Sequence, residues 1–184
     1  TLSEEKANVR IQVKDFSGMS YETSMPIVFY DAQTGLAKYQ VIYSSDNKDG
    51  EDIITIDPLV AYNVKAYTNP PMVKNNVLFD YNKTNDLVYK VEQGFLNVRY
   101  EAKRTTYQVP EYPIVVRKRG EKDIVNIQKV NEKVPYQAGR YDVVILSAPY
   151  IELNDVAVNH VSNTDLAIPT PGAASIAKPK TITR

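Results

Sequence analysis

Apolar and polar residues alternate along this chain with a period of two, and no stretch keeps a helical period. Asn8 to Lys14, NVRIQVK, sets Val9, Ile11 and Val13 against Asn8, Arg10, Gln12 and Lys14, which predicts a strand with one buried and one wet face. DFSGMSYETS follows as a loop, with Gly18 free to take positive φ. Pro26 opens the next run, PIVFYD, where a strand tolerates a missing N–H. After the turn AQTG comes LAKYQVIYS, and after SDNKDGE comes DIITI, with Asp49-Gly50 supplying the pair that tight hairpins favour. Three more strands are expected at about 61–68, 76–81 and 86–91. Seven short strands separated by turn signals predict an antiparallel sandwich.

The same grammar then repeats. Residues 61–98 and 140–176 align end to end with one residue dropped late in the second copy. Tyr62 falls on Tyr141, Val64 on Val143, Pro70 on Pro149, Val77 on Val156, Asp86 on Asp165, Leu87 on Leu166, Gly94 on Gly172 and Val98 on Ile176. FLNVRYE takes the place of NVRIQVK, and the stretch from Tyr112 matches the one from Met25. The remaining strands of the second round are DIVNIQ, a short one near Val134, RYDVVILS, IELNDVAV and TDLAIP. Two copies of one supersecondary unit mean two copies of one domain. The expected organisation is a first sandwich at 1–93, a second at 94–171, and a tail at 172–184 that reads as the opening strand of a truncated third repeat. The short link between copies predicts units set end to end with restricted hinge motion.

Composition narrows the function classes. The 184 residues carry 22 basic and 22 acidic side chains, a balance that argues against wholesale nucleic-acid binding. No apolar run approaches membrane-spanning length, so direct membrane insertion is not expected. The opening TLSEEKANVR lacks the apolar core of a signal peptide and reads as the start of an excised segment. Without cysteine there are neither disulfides nor thiolate metal sites. Fourteen tyrosines, eleven prolines and no tryptophan suit strands and turns.

Candidate chemistry is sparse. Asp15-Phe16-Ser17-Gly18-Met19 is similar to the Asp-x-Ser-x-Ser metal motif of von Willebrand A domains, but Met19 stands where a second hydroxyl is needed. Residues 45–52, SDNKDGED, gather four carboxylates, with Lys48 where a calcium loop needs oxygen, and read as a solvated hairpin tip. His160 is the only histidine, so any Ser-His-Asp triad must use it; it falls on a loop without a nucleophile-elbow pattern. RKRGEKD at 117–123, with Arg99, Lys103, Arg104, Lys129, Lys133 and Arg140, makes the second unit basic, while Asp15, Glu22, Asp31, Asp46, Asp49, Glu51, Asp52 and Asp57 make the first acidic. That asymmetry fits an anionic glycan partner, attraction between units, or simply a charged tip that protects an edge strand. Asn82-Lys83-Thr84 is a glycosylation sequon by pattern. No catalytic, cofactor-binding or metal-ligating residue is assigned, and the chain is expected not to be an enzyme.

The phrase Ile56 to Val64 and its partner Val134 to Ile145 resemble the turn-Gly-x-Tyr-x-Val signature of small seven-stranded sandwiches: carboxypeptidase regulatory-like, transthyretin-like and collagen-adhesin B-type domains. RYDVVILSAP followed by TDLAIPTPG resembles the tandem repeats that follow von Willebrand A domains in Bacteroidota surface proteins. The resemblance implies two tandem immunoglobulin-like or transthyretin-like sandwiches. It also implies a bacterial cell-surface or periplasmic setting, and a stalk, assembly or adhesion role with other domains of the parent protein or another surface protein as partners. A carbohydrate-binding module that uses exposed tyrosines on a glycan is the alternative. Collagen-adhesin B-type domains often join a first-strand Lys to a last-strand Asn; Lys14 stands near the first position, but DLVYKV offers no Asn, so no such bond is expected.

Overall fold

The computed structural model describes residues 5–47, 52–101 and 111–170. The chain divides into two units, Thr1–Glu92 and Gln93–Arg184. Among the described residues each holds seven strands and no helix. The expected tail at 172–184, and with it Gly172 and Ile176, lies outside the described residues.

In the first unit the strands are β1 (Ala7–Lys14), β2 (Ser24–Asp31), β3 (Ala37–Ser44), β4 (Ile53–Ile56), β5 (Tyr62–Ala66), β6 (Met72–Val77) and β7 (Thr84–Lys90). They form a three-stranded sheet in the order β4-β1-β7 and a four-stranded sheet in the order β3-β2-β5-β6. The period of two dictates the packing: Val9, Ile11 and Val13 turn inward and meet Ile27, Phe29 and Val64 of the facing sheet. Each such burial is worth about 1.5–3 kcal/mol relative to exposure, so slipping β1 by one residue would forfeit its whole apolar face. Phe29 and Tyr62 meet edge to face at 6.0 Å in the middle of this core.

The second unit repeats the plan with β8 (Gln93–Tyr100), β9 (Ile114–Lys118), β10 (Ile124–Gln128), β11 (Val134–Gln137), β12 (Gly139–Ile145), β13 (Ile151–Val158) and β14 (Asn163–Ile168). Its sheets run β11-β8-β14 and β10-β9-β12-β13. Leu96, Val98, Ile114, Val116, Val143 and Ile145 close a separate core. Buried Gln128 donates to the carbonyls of Leu96 and Glu132 and accepts from Tyr136 Oη at 2.7 Å, so this core contains a satisfied polar group.

One strand differs in place from its sequence expectation. The segment expected at 76–81 forms earlier, as β6 at Met72–Val77. Asn76 takes φ 52° where the ladder shifts register, Val77 is the last residue of β6, and exposed Leu78 lies beyond it. Phe79 still fills the core, but from the connection to β7 and not from a strand. The edge sequence MVKNNV alternates poorly because only Met72 and Val77 face inward, which hides its period.

Candidate functional site

The repeat alignment, read from strand residues, extends to the smallest details of each unit. Tyr62 and Tyr141 fill the two cores and donate their hydroxyls to the carbonyls of Asp57 and Gln137 at 2.8 and 2.6 Å. Burial pushes both phenols up, Tyr141 to about 12. One residue on, Asn63 Oδ1 accepts from Asn76 N and Asp142 Oδ1 accepts from Asp155 N, each at 3.0 Å. Asn76 and Asp155 share the left-handed backbone, φ 52° and 61°, and each sits where its ladder shifts register. Farther along, Asn69-Pro70 and Ala148-Pro149 are both cis, and the hydroxyls of Thr68 and Ser147 donate to the proline carbonyls at 2.6 and 2.7 Å.

The first and last strands of each unit lie side by side and parallel. β1 and β7 pair in register from Asn8↔Thr84 to Lys14↔Lys90, and Val91 N extends the seam to the Lys14 carbonyl at 2.8 Å. β8 and β14 pair from Phe95↔Asn163 to Tyr100↔Ile168, extended by Glu101 N to the Ile168 carbonyl at 2.9 Å. Asp86 and Asp165 occupy equivalent positions and reach across their seams, to Arg10 at 3.8 Å and to Asn97 Nδ2 at 3.1 Å. The terminal strands are thus tied along their length, with the chain entering at one end of the seam and leaving at the other.

The residues singled out from sequence are occupied with turn geometry. Asp15 Oδ1 accepts from Ser17 Oγ at 2.6 Å and Met19 N at 3.0 Å. The Ser17 hydroxyl foremost, with the backbone N–H groups of the turn, holds the Asp15 carboxyl below its ordinary value. Of the acidic stretch 45–52, residues 48–51 lie outside the described residues. His160 sits in the turn between β13 and β14, where the neighbouring Ser162 hydroxyl donates to the Asn159 carbonyl at 2.7 Å. The basic run 117–123 spans the last two residues of β9 and the β9–β10 connection. Arg119 and Arg140 share Asp155 Oδ1 at 3.2 and 3.1 Å, and Asp142 Oδ2 accepts from Gly120 N at 2.8 Å, so the charge of this tip is tied into the Asp142 latch. That backbone bond from Gly120, followed by the one from Asp155, lowers the Asp142 carboxyl.

The last strand does contain an asparagine, Asn85, just outside the segment DLVYKV. It pairs with Val9, whereas Lys14 pairs with Lys90 at the far end of the seam. Its amide donates to the carbonyls of Asp80 and Asn8 at 3.0 and 3.2 Å and pins the preceding turn. Among the described residues no three of His, Cys, Asp or Glu converge as a metal site. A shallow cavity of about 190 Å³ lies on the outer face of β8 and β14, lined by Phe95, Asn97, Lys133, Asn163, Thr164 and Asp165. It is smaller than the roughly 300 Å³ at which ligand pockets begin, and Lys133 Nζ sits 4.4 Å over its only aromatic ring.

No family model matches the chain, and no curated protein matches it. Similar solved structures include the TIE protein of Bacillus anthracis, at 13% identity and TM-score 0.34, covering 90% of this chain and 34% of that one. The minor pilin of Streptococcus agalactiae shares 8% identity at TM-score 0.40, covering 97% of this chain and 99% of that one. The shaft pilin of Lactobacillus rhamnosus GG shares 8% at TM-score 0.33, covering 94% and 100% respectively. This chain spans about a third of the length of the Bacillus anthracis protein. At such scores and identities the likeness carries no functional argument, and the fold assignment rests on the strand order itself: two tandem seven-stranded β-sandwiches.

Proposed function

We propose that the chain is a non-catalytic, tension-bearing spacer in a larger cell-surface or periplasmic protein. The observation that carries the reading is the parallel pairing of first and last strands in both units. Tension between the chain ends draws β1 by its start and β7 by its end, in opposite directions along a shared seam. Every hydrogen bond in the seam is then loaded together, where a peeling geometry would load them one at a time. The recurring tyrosine and Asn/Asp latches fix the neighbouring strands, so the polar side chains serve the scaffold. The surface setting and the partners, other domains of the parent or of a neighbouring surface protein, rest on the motif resemblance in RYDVVILSAP and TDLAIPTPG.

The glycan reading has less support: it needs open tyrosine faces beside amides and carboxylates, and the most exposed tyrosines, Tyr81 and Tyr150, lie in the connections before β7 and β13 in different units and not together on a strand face. Exposed Tyr67 is bonded through its hydroxyl to Tyr30 and covered on one face by Lys65 Nζ at 4.7 Å. Single-molecule pulling through the two termini tests the spacer reading. The expected record is two unfolding events at high force, each adding roughly 0.36 nm per residue released. Extension at low force without discrete events would overturn it.

A further inference from the structure

We infer that β3 is a self-association edge, on which the β3 of a second copy of this chain adds as an antiparallel strand about a two-fold axis at Val41. The four-stranded sheets have four outer strands, β3, β6, β10 and β13. Three are blunted in the ways natural edges are. β6 and β13 carry register shifts and a left-handed residue, and five-residue β10 carries a shift between Ile124 and Asn126. β3 is eight residues long, and its one irregularity, opposite Phe29 and Tyr30, lies near its start. From Tyr39 to Ser44 its ladder is regular.

The direction of its backbone groups follows from the register. Ser45 N donates to the Thr23 carbonyl at 3.1 Å, so Ser45 and Thr23 face each other as a hydrogen-bonded pair. Such pairs alternate, and Tyr43, Val41 and Tyr39 therefore bond to β2 while Gln40 and Ile42 turn N–H and C=O away from the sheet. Ile42 is 62% exposed. Among the described residues no strand lies on that side.

The sequence of the edge is complementary to itself in one orientation. Pairing Val41 with its symmetry mate sets Gln40 opposite Ile42 twice, giving about four main-chain hydrogen bonds, and brings Tyr39 opposite Tyr43 on the core side. The only charges are at the ends: Lys38 at the start, and Asp46 two residues past the finish. Antiparallel addition places Lys38 across from Ser44 of the second copy, beside the turn that carries Asp46, whereas parallel addition would set Lys38 against Lys38. Charge complementarity at both ends therefore favours a second copy in the antiparallel sense, with each Lys38 beside the Asp46 turn of the other. A seam of this length lies at the small end of specific interfaces, so the expected affinity is micromolar or weaker.

The chain has no cysteine, which makes single-cysteine crosslinking unambiguous. Under mild oxidation Val41→Cys, at the two-fold, is expected to give a disulfide dimer, while Ser44→Cys, about 20 Å from its symmetry mate, is expected to give little. Sedimentation of the unmodified chain should approach twice the 20.8 kDa of one copy as concentration rises. Ile42→Pro removes only an outward N–H and should abolish the dimer with an unchanged circular-dichroism spectrum. A single-copy mass at every concentration overturns the inference and leaves the edge to a strand from another protein. Equal crosslinking at positions 41 and 44 overturns the register.

Discussion

Replacing Gly94 by alanine tests the packing account at its tightest point. Gly94 is buried on β8 opposite Tyr136, and the turn from β13 to β14 passes directly over it. A Cβ there would lie 2.1 Å from the Asn159 carbonyl oxygen and 2.9 Å from Val158 Cγ1. The nearest atom is backbone, so relief requires the turn to move outward by about 1 Å. That turn is held by Val161 N on the Gln93 carbonyl and Phe95 N on the Ser162 carbonyl, both at 2.8 Å, on either side of Gly94. Overpacking costs about 1–3 kcal/mol and each weakened bond about 1 kcal/mol, against about 0.4–1 kcal/mol gained because alanine restricts the unfolded chain. The net expectation is a loss of about 2–4 kcal/mol confined to the second unit, lowering its melting temperature by roughly 10–25 °C. Hydrogen exchange read by mass spectrometry assigns the effect: β8, β11 and β14 should lose protection while β1 to β7 keep theirs. A variant as stable as the parent, or more so, would show that the turn does not sit on Gly94 and would refute the reasoning.

Other substitutions probe the latches and the strain. Tyr141→Phe removes the bond to the Gln137 carbonyl and should cost about 1 kcal/mol, read as a drop of roughly 4–8 °C in the second unit; Tyr62→Phe should do the same in the first. Val161 is a β-branched residue at φ 55°, 75% exposed, in the turn where the first unit places Asn82 at φ 59°. Val161→Asn should therefore stabilise the second unit by about 1 kcal/mol in chemical denaturation, and a loss would contradict the strain assignment. Alkaline titration followed by tyrosinate absorbance and circular dichroism reads the buried phenols. Burial raises Tyr136 and Tyr141 to about 12. The unfolded chain releases these protons near pH 10, so stability is full below that pH and falls between pH 10 and 12 at up to about 1.4 kcal/mol per unit for each phenol. Ionisation of all tyrosines near pH 10 with the fold intact would contradict their burial.

The strands whose two faces differ are legible in the sequence: NVRIQVK and RYDVVILS announce β1 and β12 because the core takes alternate residues. The duplication also points to Pro70 with Pro149 and Tyr62 with Tyr141, since core and turn positions tolerate few residue types. β6 is illegible because an edge strand with Lys74, Asn75 and Asn76 exposed has no alternation to show. The parallel seam is equally silent, because pairing of β1 with β7 joins residues more than seventy positions apart and leaves no local pattern. Asn63 and Asp142 look like ordinary polar strand residues; only the backbone turning left-handed opposite them reveals latches. The acidic and basic stretches were visible, but not that Asp142 and Asp155 bind the basic tip to the sheet.

The direction of loading tests the spacer account most directly. Cysteine handles can be introduced into the cysteine-free chain either at positions 8 and 90, which load the β1–β7 seam along its length, or at positions 8 and 84, which are register partners and peel it from one end. The account predicts an unfolding force several-fold higher for the first pair than for the second in the same unit. Equal forces in the two directions would contradict it, because the parallel terminal strands would then confer no resistance to tension along the chain.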